Sequence, residues 1–207
     1  MTIARLRAIP VALFPLVLVA GIVTIPVVTD YSNHELAAQA ASHTARWFWG
    51  HIISAAAFGL AVLAACSIAG YLRAKRQARL GALGLTLMAV GGALYAAGLG
   101  ADGIGPIASA AGGGTAEAFF EGSGAWITGV FVTAAMTFGL GLMAHAAGLL
   151  RAGLLKQVTG IIVFAGAIAF AGAAAIPSGW GLYVVAAAVL AVYVPISAAM
   201  WREVVPQ

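Results

Sequence analysis

Residues 52–79 read IISAAAFGLAVLAACSIAGYL and then RAKRQAR. An uncharged run covers 52–72, and Arg73, Lys75, Arg76 and Arg79 follow it at once. At 1.5 Å per residue such a run crosses the ~30 Å hydrocarbon layer of a bilayer as one helix. Basic residues packed against the end of a span are retained in the cytoplasm.

The same alternation organises the whole chain. Uncharged apolar stretches predict spans at 8–29, 52–72, 80–101, 125–150, 158–176 and 182–201. Arg5 and Arg7 precede the first, Arg151 and Lys156 separate the fourth from the fifth, and Arg202 follows the sixth. Nine of the ten basic residues thereby fall on one side, and only Arg46 on the other. The expected fold is an all-α integral membrane protein, a single domain of six transmembrane helices. Its expected home is the plasma (cytoplasmic) membrane, with both termini cytoplasmic. Trp47, Trp49, Trp126 and Trp180 fall at the outer boundary and Trp201 at the inner one, where amphipathic rings settle.

Composition excludes the main alternatives. Of 207 residues, 63% are hydrophobic and only 8% are charged. A soluble domain carries about 25% charged residues, which this chain lacks for covering its surface in water. The net charge of +4 is dispersed over helix ends, so orientation explains it and no nucleic-acid partner is expected. Cys66 is the sole cysteine and lies within a span, which excludes an internal disulfide.

The two long outer segments read differently. In 30–51, Ser32-Asn33-His34-Glu35 matches a capping box, which predicts a short outer-surface helix before the second span. In 102–124, Asp102-Gly103 is a turn signature and Gly112 to Gly114 a flexible stretch. Thr115 to Glu121 follows with one or two helical turns, Phe119 and Phe120 dipping into the interface. Pro10, Pro15, Pro26 and Pro195 predict kinks in the first and sixth spans. Gly84, Gly91 and Gly98, with Ala134, Gly141 and Gly148, recur every seven residues and predict close packing of the third and fourth spans.

The polar residues concentrate on the outer side. Asp30 ends the first span, His51 begins the second, Asp102 ends the third, and Glu121 precedes the fourth. Glu117 and Glu121 are four apart and share a helix face, where mutual repulsion lets one stay protonated while the other acts as base. Asp30, His51, Asp102, Glu117 and Glu121 are therefore the candidate catalytic residues. Glu35 is assigned to the capping box instead. His43 and His51 are eight apart, about 12 Å along a helix, too far to hold one metal together. His145 sits within the fourth span and is expected to bond a neighbouring helix. No phosphate loop, nucleophile elbow, Cys-x-x-Cys or facing histidine pair calls for a cofactor or metal.

The expected partners are the lipid bilayer and a lipophilic small molecule. The expected function is a membrane-embedded enzyme using acid/base chemistry on an isoprenoid- or lipid-like substrate at the outer side, as an isomerase or cyclase would. The alternative is a non-catalytic lipid-binding or accessory unit docking a partner membrane subunit or a second copy. A transporter or channel ranks below both, because intramembrane charge is scarce.

Overall fold

The computed structural model describes residues 3–174 and 178–203. These form seven helices and no strand: α1 (Ile3–Thr24), α2 (His34–Ala41), α3 (Thr44–Ala74), α4 (Ala78–Ala111), α5 (Ala116–Arg151), α6 (Gln157–Ala174) and α7 (Gly179–Arg202). Five of them, all but α2 and α6, are long and apolar enough to cross a membrane. The chain is a multi-pass helical membrane protein. The last residues of the expected 158–176 span, and Pro177 of the turn after it, lie outside the described residues.

Six helices pack side by side in the order α1, α3, α4, α5, α6, α7, and α7 returns against α1. One aromatic ring from each fills the centre: Phe14, Phe58, Tyr95, Phe138, Phe170 and Tyr193. Phe14 meets Tyr193 edge-on at 4.8 Å, Phe58 stacks on Tyr95 at 4.3 Å, and Phe138 lies 5.2 Å from Phe170. Lipid offers helices no hydrophobic reason to associate, so such packing must hold them. Each aromatic pair contributes about 0.5–1.5 kcal/mol beyond the area it covers.

The small-residue stripes bring α4 and α5 into close approach. A side-chain carbon at Gly91 would stand 2.6 Å from the Phe138 amide nitrogen, and one at Gly141 2.9 Å from the Gly84 carbonyl. Gly84 leaves room for the His145 ring, which it touches. His145 donates from Nε2 to the Gly81 carbonyl at 3.2 Å, the cross-helix bond its position called for.

Helix ends depart from the expected boundaries. α1 stops at Thr24, so Pro26 lies beyond it in chain without regular structure, while Pro10 and Pro15 are within. α4 does not turn at Asp102-Gly103 but continues to Ala111, through Pro106. α5 begins at Ala116, so 112–115 is all that remains of the expected second outer segment. There Gly113 adopts φ 88°, a conformation that glycine takes without strain. α2 is capped by Asn33, whose side chain accepts from the Leu36 amide, and not by Ser32. Ser32 gives both its amide and its hydroxyl to the Asp30 carboxylate instead.

α6 is short. Its 18 residues give ~27 Å against ~54 Å for the 36 of α5. Ala171, near the end of α6, packs on Gly139, so the N-terminal half of α5 rises beyond its neighbour. Among the described residues no Cα of α5 lies within 8 Å of a Cα of α7. At the arginine-rich end, Lys75 pairs with Glu203 at 2.7 Å and ties the α3–α4 turn to the end of α7.

Candidate active site

The helix ends opposite that arginine-rich end surround a cavity of about 160 Å³ on the axis of the ring. Phe58 and Tyr95, members of the central aromatic cluster, form part of its wall. α1 contributes Leu18 and Ile22, α5 Ile127 and Phe131, α7 Leu182 and Val185. No described residue of α6 lines it. Tyr31, in the turn before α2, and His34, the first residue of α2, line it as well, at the mouth end. The wall is apolar except at a few points, and each of those has a structural origin.

The principal polar feature is a pair. His51 Nε2 lies 3.2 Å from Asp102 Oδ2, and the two residues are only 2% and 8% exposed. Gly103 makes the approach feasible, because a side-chain carbon there would come within 2.6 Å of the His51 Cβ. The other ring nitrogen, Nδ1, stands 2.7 Å from the Trp47 carbonyl oxygen. A carbonyl only accepts, so Nδ1 carries a proton and donates it. Nε2 and Oδ2 then need a second proton between them, or two lone pairs would face each other in a buried contact. That proton resides on the imidazole or on the carboxyl, and in either case the pair as a whole is neutral. Burial favours such a neutral arrangement over a lone charge.

Trp47 holds the pair from above. Its indole N–H donates to the backbone carbonyl of Asp102 at 2.8 Å, and its ring lies 4.5 Å from that of His51. That carbonyl is free because of Pro106. In a continuous helix it would accept from the amide four residues on, and proline has none. Trp47 therefore sits fully buried, not at a headgroup boundary as its position implied. Trp49, Trp126, Trp180 and Trp201 are exposed. Phe120, expected at the interface, packs edge-on against Trp47 at 5.9 Å, within a small core that α2 covers with Ala37, Ala40 and Ala41. Phe119 joins it and fills the space left by Gly105.

The other expected site residues lie elsewhere. Asp30 is exposed, and the two hydrogen bonds from Ser32 hold its carboxyl below the usual carboxylate range. Glu117 and Glu121 share a face of α5 as their spacing requires, but both are exposed. Among the five candidates, only His51 and Asp102 are brought together.

Five further hydroxyl-bearing residues line the cavity: Tyr31, Ser54, Tyr95, Thr128 and Ser178. Burial, and then the nearby Asp102 carboxylate, push the Tyr31 phenol above its ordinary range, so it remains a donor at the mouth. Ser54 and Tyr95 are buried, line the cavity and have no hydrogen-bond partner. The signal for them was helical spacing. Ser54 and Phe58 lie three and seven residues after His51, and Tyr95 and Leu99 seven and three before Asp102, which puts each set on one helix face.

No described group of three or more His, Cys, Asp or Glu side chains is arranged to hold a metal ion. No protein family, no curated protein and no solved structure matches this chain. What the site does must be argued from its own chemistry.

Proposed function

We propose that this chain is a membrane-embedded enzyme that performs acid/base chemistry on a lipophilic small molecule held in the axial cavity. Six helices, α6 included, would cross the plasma membrane with both termini cytoplasmic, and α2 would cap the outer end. The charge distribution supports that orientation. The 18 residues of α6 fall within the usual range for a span of about 17–25.

One observation carries the reading: the buried 3.2 Å contact between His51 and Asp102, with the other ring nitrogen on the Trp47 carbonyl, on the wall of a largely apolar cavity. Such a pair delivers its shared proton to one substrate atom and recovers a proton from another. The pair ends as it began, which suits isomerisation or cyclisation, where no net proton is consumed. Trp47 keeps the carboxyl and the imidazole in register. Asp30, Glu117 and Glu121 have no part in this step, since they face away into solvent.

A non-catalytic lipid-binding or accessory role is the second reading. The exposed carboxylates and the uncovered half of α5, where Trp126 is 80% exposed, favour it as a docking face for a partner subunit or a second copy.

One comparison separates the two. Organic extracts of bacterial membranes containing the wild-type chain are compared by mass spectrometry with those containing D102N, H51Q or the double variant E117Q/E121Q. The enzyme reading expects a lipophilic species altered by wild type and E117Q/E121Q. It expects that alteration to be slower by roughly 10²–10⁴-fold in D102N and H51Q, the usual effect of removing a general acid or base. Identical profiles for wild type and D102N would refute catalysis by the pair.

A further inference from the structure

We infer that the chain has a second site, a cleft between the segment after α1, α2 and the first turn of α3, and that this cleft binds a phosphate group. The phosphate is carried by a lipid headgroup or is free in solution. The cleft shares no lining residue with the axial cavity.

Charge is the first argument. Arg46 is the one basic residue of ten that falls away from the arginine-rich end. The bias that keeps lysine and arginine on the cytoplasmic side does not account for it. An ion pair does not account for it either. All six Asp and Glu residues are described, and none forms a salt bridge with Arg46.

Geometry is the second. Arg46 Nε donates to the carbonyl of Thr24, the last residue of α1, at 3.2 Å. That bond fixes the guanidinium against the end of α1. A guanidinium carries five N–H donors in a planar fork, and among the described residues no acceptor meets its two terminal nitrogens. Such a fork matches two oxygens of one anion.

The wall is the third. The cleft has a volume of about 340 Å³, within the ~300–1,000 Å³ of small-ligand sites. Gln39 of α2, His43 at the junction with α3, and Thr29 line it with Arg46. They bring an amide, an imidazole and a hydroxyl, each able to donate to an oxyanion. A carboxylate spends both oxygens on the arginine fork, whereas a phosphate keeps others for these donors. No acid lines the cleft, and Asp30, next to Thr29, is held by Ser32.

The surroundings suit a headgroup. Trp49, three residues after Arg46 on α3, is 56% exposed, and such rings settle at headgroup level. Pro26 and Leu36 add apolar surface beside the polar groups.

The test uses the full chain with arginine labelled by ¹³C at Cζ. Solid-state NMR reads the dephasing of the Arg46 carbon by nearby phosphorus, and the Arg46 signal is the one missing from Arg46→Lys. In one arm the bilayer is phosphatidylglycerol in phosphate-free buffer. In the other it is digalactosyl diacylglycerol, which has no phosphorus, with inorganic phosphate added. Strong dephasing is expected; in the first arm it assigns a lipid headgroup, in the second free phosphate. The variant H43A/Q39A keeps Arg46 and should lose most of the effect, with circular dichroism reporting that it is folded. Absence of dephasing in both arms would overturn the site. Equal dephasing in wild type and H43A/Q39A would overturn it too, because an exposed arginine would then be meeting phosphates without the cleft.

Discussion

Placing a methyl group at Gly91 tests the packing that positions the site. The α4 backbone there is so close to α5 that the added carbon would stand 2.6 Å from the Phe138 amide nitrogen and 2.8 Å from the Phe138 Cβ. The nearest neighbours are backbone and Cβ atoms, which cannot swing aside as a side-chain tip would. Ordinary contact begins at 3.4 Å. The helices must therefore part by roughly 0.8 Å, and a gap of that size forfeits a quarter to a half of the dispersion energy across it. Overpacking of this kind costs about 1–3 kcal/mol. Gly100→Ala is the control on the same helix, since nothing lies within 4 Å of a carbon added there. Alanine favours a helix over glycine by up to about 1 kcal/mol, so Gly100→Ala should stabilise or leave stability unchanged. Unfolding of both variants and wild type by SDS in mixed micelles, followed by circular dichroism, supplies the comparison. Equal stability of Gly91→Ala and Gly100→Ala would refute the close approach of α4 and α5.

Two other perturbations reach the site and the core. Trp47→Phe removes the indole donor to the Asp102 carbonyl and should cost about 1–3 kcal/mol in the same assay. Pro106→Ala restores the amide that this carbonyl lacks, so the Trp47→Phe cost should shrink in the P106A background; equal costs would show that the proline is not its origin. Phe138→Ala opens the centre of the aromatic cluster, where Phe138 meets Phe14, Phe58, Tyr95 and Phe170, and should cost about 3–5 kcal/mol. A loss below 1 kcal/mol would mean that the six rings do not hold the bundle.

Hydropathy located the five long apolar helices and the shorter α6, because the apolar runs and the bases at their ends are local features. Where each helix stops was less legible. Charge marks the edge of an apolar run, not the point where the backbone leaves helical geometry. Asp102 looked like a boundary at water, yet α4 carries it on for another two and a half turns, since His51 and Trp47 satisfy it inside the bundle. Position along the helix axes was also legible, and it grouped Asp30, His51, Asp102, Glu117 and Glu121 toward one end of the bundle. Azimuth was not. Whether a residue faces the axis or the solvent depends on helix rotation, and that is set by tertiary packing at positions such as Gly103 and Gly84. The pair Glu117/Glu121 had the right spacing on the wrong face. Ser32 had the right type for a cap, but Asp30 claimed it and left the role to Asn33. Two local signals pointed to the site. One is Pro106 four residues after Asp102, which frees a carbonyl. The other is the seven-residue spacing from Tyr95 to Asp102.

The most direct measurement is nitrogen NMR of the wild-type protein in bilayers, with ¹⁵N-labelled histidine and H51Q to assign the His51 signals. The geometry predicts that Nδ1 of His51 is protonated and that the Nε2 signal shows a proton shared with Asp102, lost or displaced in D102N. A His51 ring protonated at Nε2 alone, with Nδ1 bare, would contradict the arrangement from which the acid/base chemistry is drawn.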